Sequence, residues 1–336
     1  MKAPDTIAIL GAGSWGTALA VHLARVGHDV RLWARDPELV DVMTETRVNP
    51  RYLPDVPLPA RVTPVARHQA ALSGAKVAVF AVPSHGFRAV ARAVSASIPA
   101  DAVLVSATKG LETDSLQRMS FVLEEEAGAG RPVVVLSGPS FASEVARALP
   151  TAVLSASRSA DAATFVQDRF KGPAFRIYVS DDVPGVEIGG ATKNVIAIAA
   201  GVVEGLGLGH NSMAALITRG LVEISRLADA EGGRRETLAG LSGLGDLVLT
   251  STGNLSRNRH VGLELGRGRS LDDILGSMRM IAEGVRTTGA ALALGARHGI
   301  ELPITAEMAA VLARKRSPAE AVDALMGRKQ RAEADR

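Results

Sequence analysis

Residues 7–26, IAILGAGSWGTALAVHLARV, decide the fold. An apolar strand runs into Gly11-Ala12-Gly13-Ser14-Trp15-Gly16, and an Ala/Leu-rich helix follows at once. Each glycine of this G-x-G-x-x-G spacing has its own job. Gly11 allows a tight turn, Gly13 removes the Cβ that would block a pyrophosphate, and Gly16 lets helix and strand pack closely. The helix then aims its free N–H groups and positive dipole end at the phosphates. Glycine spacing alone is weak in a chain with 34 glycines. Its place between a strand and a helix makes it a dinucleotide-binding signal rather than a plain turn.

Working outward, residues 29–33 (DVRLW) form a second strand that ends in Ala34-Arg35-Asp36-Pro37. Apolar runs recur at 77–80, 102–105, 132–136, 152–154 and 175–179, with helical patterns at 86–97 and 116–127. Strands apolar on both faces and alternating with helices predict a parallel sheet covered on both sides, an α/β fold of the doubly wound Rossmann type. The character changes near Asp181. From about Val186 the patterns are helical, at 190–203, 213–230, 256–265, 283–297 and 304–314, which predicts an all-helical C-terminal domain. The turn-rich segment 181–185 marks the boundary. Residues 1–185 are therefore read as a dinucleotide-binding Rossmann-type domain and 186–336 as a helical substrate and catalytic domain. The polar tail 328–336 is expected to fray.

Composition narrows the function. Of 336 residues 47% are hydrophobic, which permits a large core, but only 3% are aromatic, so stacking on nucleic acid is not expected. The 38 basic and 35 acidic residues give a net charge of +3 with no long run of one sign, compatible with an anionic small substrate. With no cysteine, disulfides and thiolate catalysis are excluded and a reducing compartment is permitted. The seven histidines show no metal-ligand spacing, so no metal is expected. The early apolar stretch is broken by Gly11, Gly13, His22 and Arg25 and does not read as a signal peptide. The longest apolar run, 195–203, is too short to span a bilayer. A cytoplasmic protein is expected.

Several constellations could carry chemistry. An acidic side chain ending the second strand suits the ribose hydroxyls of NAD, whereas an arginine suits the 2′-phosphate of NADP. Arg35 leans the expectation toward NADPH tolerance, although a surface arginine after a strand is common. Lys193 opens the small-residue stretch 189–201, which should form a central helix. A lysine drawn from water there has a lowered pKa suited to proton transfer, unless its ammonium snorkels to the surface. In 240–250, GLSGLGDLVLT, Asp246 opens a helix with Thr250 one turn later, and its plain reading is an N-cap. Ser256-Arg257-Asn258 combines hydroxyl, guanidinium and amide at a helix start, which suits a phosphate or an ordinary helix start equally. Ligands of open α/β sheets lie beyond the carboxyl ends of the strands, which draws in Lys109 of loop 106–110 and Gly138 of loop 137–142. His85 is read as a loop residue lining the pocket.

The ordered series GAGSWGTALA, AVPSH, ATKG, LSGPSFA, TKNVIAIAAGVVEGLGLG, ALITRGL, GLSGLGDLVLT, SRNRHVG and AEGVRTT, within residues 7 to about 326, resembles the bacterial NAD(P)-dependent sn-glycerol-3-phosphate dehydrogenase family. That resemblance implies reversible hydride transfer between NAD(P)H and dihydroxyacetone phosphate, giving sn-glycerol 3-phosphate for phospholipid synthesis. It also implies a homodimer, a small phosphorylated substrate, and NAD or NADP as cofactor. By the same resemblance Lys193 transfers the proton, with Asn194, Lys109, Asp246 and Thr250 around the reacting centre. Arg257 and Asn258, with Ser256 beside them, match the group that holds the substrate phosphate, and Gly138 and Ser140 match further substrate contacts. Besides Gly11, Gly13 and Gly16, the positions Ser14, Trp15, Arg35, Tyr52, Lys109, Ala142, Arg257, Ile281 and Glu283 fall where similar enzymes contact the dinucleotide. Ser143, Ser251, Asp55, His210 and Met213 depart from the commonest family pattern, and none of them removes a proposed catalytic group. Two rivals remain. A β-hydroxyacid dehydrogenase shares the layout but is disfavoured by GDLVLT and SRN. A silent dinucleotide-binding scaffold would have no need for lysines at both 109 and 193.

Overall fold

The computed structural model describes residues 4–128, 130–278, 282–330 and 332–333. The chain begins with β1 (Thr6–Leu10), α1 (Ser14–Arg25), β2 (Asp29–Trp33), α2 (Pro37–Thr46), the short pair β3 (Val48–Asn49) and β4 (Leu53–Pro57), β5 (Val62–Val65) and α3 (His68–Leu72). It continues through β6 (Val77–Phe80), α4 (Ser84–Val94), β7 (Val103–Ser106), α5 (Met119–Ala127) and β8 (Val133–Ser137). Then come α6 (Ala142–Ala146), β9 (Thr151–Ala156), α7 (Ala160–Phe170) and β10 (Phe175–Ser180). Eight of the strands form one sheet in the order β10-β9-β8-β7-β6-β1-β2-β5. β6 and β8 are buried along their whole length, as strands covered on both faces must be.

The expected parallel sheet is found, with one correction: β9 runs antiparallel to β8, and β10 then pairs in parallel with β9. The reason lies in the connection. α6 has only five residues and packs against α1. At about 1.5 Å per residue such a helix cannot carry the chain back along a strand that rises about 3.3 Å per residue. The chain therefore re-enters the sheet from the end it left. Strand order reverses between β1 and β6, so a ligand crevice is due outside the carboxyl ends of those two strands.

The second half is helical: α8 (Val183–Gly205), α9 (Gly209–Ala230), α10 (Arg235–Leu238), a π-helical turn at Leu241–Gly245 and α11 (Asp246–Thr252). α12 (Arg257–Gly266), α13 (Leu271–Ser277), α14 (Glu283–Arg297), α15 (Pro303–Leu312) and α16 (Pro318–Met326) complete it. α8 is the axis, wrapped by α9, α11, α12, α14 and α15. It starts earlier than the residue pattern suggests. Pro184 sits in the first turn, where its missing N–H costs nothing, and the Asp182 side chain caps the Gly185 N–H. Residues 183–185 thus belong to the helix rather than to a turn. At 23 residues α8 is long and apolar enough to cross a bilayer, unlike the run 195–203, yet it is buried among its neighbours.

Glycines let α12 lie directly on α8. A Cβ at Gly262 would stand 1.8 Å from the Ile198 carbonyl oxygen, and one at Gly201 2.0 Å from that of Arg259. Gly205 and Gly266 meet in the same way farther along. The two helices run side by side in one direction, so the start of α12 falls beside Lys193 and Asn194.

Candidate active site

The glycine loop has the geometry its spacing requires. Gly11 takes φ +119°, and a Cβ on it would meet the Ala81 carbonyl oxygen at 2.5 Å. A Cβ on Gly16 would lie 1.9 Å from the Gly11 carbonyl oxygen, so turn and helix touch there. Gly13 faces open space, and no side chain caps the start of α1. An uncapped helix start over an open glycine is a cradle for a pyrophosphate. The half-buried Trp15 adds an indole N–H with no acceptor among the described residues. The Ser14 hydroxyl donates to the Tyr52 carbonyl oxygen at 2.8 Å, which closes the β3–β4 segment over the loop. Arg35 is exposed just past β2, while Asp36 is turned away, capping Glu38 N and pairing with Arg51. These residues fit a dinucleotide. Ala142 opens α6 and packs on the sheet core. Ile281 lies outside the described residues.

Lys193 and Asp246 are 5% and 1% exposed, far inside the helical half. The Lys193 ammonium donates to Asp246 Oδ1 at 2.8 Å and to Thr250 Oγ1 at 2.5 Å. The Thr250 hydroxyl in turn donates to the Asp246 carbonyl oxygen at 2.7 Å. An ammonium has three N–H donors, so one is left unspent among the described residues. Asp246 Oδ2 accepts from Lys109 at 2.7 Å, and Lys109 also reaches the Gly138 carbonyl oxygen at 2.7 Å and Ser140 Oγ at 3.4 Å. One carboxylate thus carries two lysines. Burial pushes the Lys193 pKa down to about 8, with Asp246 opposing and Lys109 adding to the fall. The plain reading of Asp246 as an N-cap is corrected: Gly245 holds that position, and the carboxylate serves the lysines.

Beside this cluster, Asn258 Nδ2 donates to Asn194 Oδ1 at 2.9 Å, and Asn258 Oδ1 accepts from Gly284 N at 2.9 Å. Ser256 is buried and caps α12 by accepting from Arg259 N. Arg257 is exposed, and its guanidinium has no hydrogen-bond or ion-pair partner among the described residues. Packing around it disfavours its charge and Glu283 favours it. Glu283 reaches across to α4, where it accepts from Ser84 N at 3.2 Å and Ser84 Oγ at 2.7 Å. His85 is helical and exposed rather than a loop residue. Sequence reasoning passed over Ser84. The one available signal was its place after a buried strand and a proline, at the carboxyl edge of the sheet.

A family model described as the NAD-dependent glycerol-3-phosphate dehydrogenase N-terminus matches residues 6–163, and its C-terminal counterpart matches residues 182–323. A glycerol-3-phosphate dehydrogenase (NAD(P)+) of Thioalkalivibrio sulfidiphilus is 53% identical over 327 residues, 97% of this chain and 98% of the relative. One from Koribacter versatilis is 52% identical over 326 residues, 96% and 97% of the two chains. A crystal structure of glycerol-3-phosphate dehydrogenase from Coxiella burnetii aligns with a TM-score of 0.93 at 44% identity, covering 97% of this chain and 99% of that one.

Proposed function

The chain belongs to the NAD(P)-dependent glycerol-3-phosphate dehydrogenases, and we propose that it reduces dihydroxyacetone phosphate to sn-glycerol 3-phosphate with Lys193 as proton donor. The observation that carries this reading is the Lys193 ammonium, buried, fixed by Asp246 and Thr250, and left with one N–H unspent among the described residues. Bound NAD(P)H supplies the hydride to the ketone carbon. Lys193 gives its spare proton to the oxygen that becomes the hydroxyl, and its charge stabilises that oxygen while negative charge builds. Asp246 orients Lys193 and Lys109 together. Arg257, whose guanidinium has no hydrogen-bond or ion-pair partner among the described residues, grips the substrate phosphate with Asn258 and so would orient the ketone for the hydride. Ser256 supports them by capping α12, and Asn194, Gly138 and Ser140 line the substrate side.

Gly11, Gly13, Ser14, Trp15, Gly16, Arg35, Tyr52, Ala142 and Glu283 hold the dinucleotide on this reading, and Arg35 gives NADPH a footing at its 2′-phosphate. The division falls just before α8, at about residue 182, with the crevice on the sheet half and the catalytic lysine on the helical half. The enzyme acts in the cytoplasm, where a chain without cysteine needs no oxidising surroundings, and it works as a homodimer that supplies glycerophospholipid synthesis. Sedimentation of the purified protein tests the dimer.

The deciding experiment follows nicotinamide absorbance with dihydroxyacetone phosphate, with NADH and NADPH run in parallel. Oxidation that requires the phosphate ester is expected, and the ratio of the two rates reads the contribution of Arg35. Lys193→Ala should lose about 10²–10⁴-fold in turnover while still binding the dinucleotide. Normal turnover in that variant would remove Lys193 from the chemistry.

A further inference from the structure

Glu283 and Arg257 are close neighbours that do not pair. Each stands at the first position of its helix, and the residues beside them are bonded, Gly284 N to Asn258 Oδ1 at 2.9 Å. A carboxylate next to a guanidinium with no partner among the described residues is drawn to it, because such pairs form short, charge-assisted hydrogen bonds. Glu283 is nevertheless bonded elsewhere. Both of its oxygens are taken by one residue of the sheet half, Oε1 by Ser84 N at 3.2 Å and Oε2 by Ser84 Oγ at 2.7 Å. Ser84 itself is buried. The fit depends on Gly110, the residue after Lys109: a Cβ there would stand 2.7 Å from Ser84 Cβ and 3.5 Å from Glu283 Oε2.

We propose that Ser84 is a positioning residue that holds the Glu283 carboxylate at the start of α4 and so keeps Arg257 free for the phosphate of the substrate, a role that rests on the reading of Arg257 as phosphate anchor. Released, Glu283 is an internal anion that competes for the same guanidinium. Loss of Ser84 then weakens the grip on a phosphorylated substrate before the chemical step and leaves the step itself alone, which separates KM from kcat.

Steady-state kinetics of five variants test this. Ser84→Ala should raise KM for dihydroxyacetone phosphate about tenfold with kcat within about twofold of the parent. Ser84→Thr, which keeps both donors, should restore the parent KM. In Ser84→Ala/Glu283→Gln the competing charge is gone, so KM should equal that of Glu283→Gln alone. An unchanged KM in Ser84→Ala, a fall in kcat without a rise in KM, or a double variant whose KM exceeds that of Glu283→Gln alone overturns the proposal. Arg257→Ala separates the two readings. If it leaves KM unchanged, the phosphate anchor fails and the role of Ser84 falls with it. If it raises KM while Ser84→Ala does not, the role of Ser84 alone is refuted.

Discussion

A carboxylate shared between two ammonium groups decides how Lys193 titrates. Asp246 offers Oδ1 to Lys193 and Oδ2 to Lys109, so the trio carries a net positive charge inside the protein. Burial lowers the Lys193 pKa to about 8, and Lys109 lowers it further than Asp246 alone would allow. The sign of the pH dependence follows. On the proposed mechanism ketone reduction uses the protonated lysine, so its rate should hold below about 8 and fall as pH rises through that value. Alcohol oxidation needs the neutral amine and rises through the same region. Lys109→Met removes a neighbouring cation and leaves Asp246 to Lys193 alone, and both changes favour the ammonium. The midpoint of the kcat/KM profile should therefore move to higher pH in both directions of reaction, and a midpoint that moves down would refute the coupling. Lys193 stood out from its own residue type in a small-residue helix, whereas Asp246 and Thr250 read alone as a helix start and were drawn to the lysine only by the family resemblance. Ser84 was not legible, because its partner Glu283 lies 199 residues away and nothing local marks a serine after a proline.

At the scale of elements, the site depends on how closely α12 approaches α8. An alanine at Gly262 would gain about 1 kcal/mol in helix propensity, but its Cβ would fall 1.8 Å from the backbone oxygen of Ile198. Backbone cannot yield as a flexible side chain does, so overpacking of about 1–3 kcal/mol or more wins. Gly262→Ala should be destabilised in urea unfolding and should raise KM for the phosphorylated substrate, because Arg257 and Asn258 move with α12. Gly289 on α14 is the control: it is exposed, with no atom within 4 Å of where a Cβ would lie. Gly289→Ala should be stabilised by up to about 1 kcal/mol with kinetics unchanged. Equal losses in both variants would refute the contact argument. Periodicity and apolar runs made most strands and helices of this fold legible, and α14 was read to its ends at residues 283–297. They could not show that β9 is antiparallel, since strand direction depends on the reach of α6 and not on the strand's own residues. β5 was missed because Thr63 and Pro64 interrupt its apolar pattern, and Pro64 is tolerated on this edge strand of the sheet. The start of α8 was missed because Pro184 and Gly185 read as a turn when they in fact open a capped helix.

At the scale of the whole molecule, the proposed mechanism asks the strand-end crevice of the sheet half and Lys193 of the helical half to hold one relative position. A buried ion pair joins the halves where α5 meets α8. Arg118 Nη1 donates to Glu187 Oε2 at 2.6 Å, and both side chains are 3% exposed. Glu187 also accepts from Ser120 N at 2.8 Å and Ser120 Oγ at 2.5 Å, so one carboxylate of α8 anchors the start of α5. Glu187 precedes Lys193 on the same helix by less than two turns, at about 3.6 residues per turn. Removing one partner of such a pair strands the other charge in a dry interior, at about 3–5 kcal/mol, whereas replacing both by apolar side chains of similar volume costs far less. Glu187→Met and Arg118→Met should therefore each lower the unfolding midpoint sharply, and Arg118→Met/Glu187→Met should recover much of the loss. A double-mutant cycle on unfolding free energy reads the coupling directly, and an additive cycle would show that the pair does not act as a unit. Turnover divides a fold role from a catalytic one. If the clamp only stabilises, the double variant regains kcat along with its midpoint. If it also sets the angle between crevice and lysine, kcat stays low in the double variant although the fold is restored, because the apolar pair no longer ties α8 to the Ser120 hydrogen bonds at the start of α5.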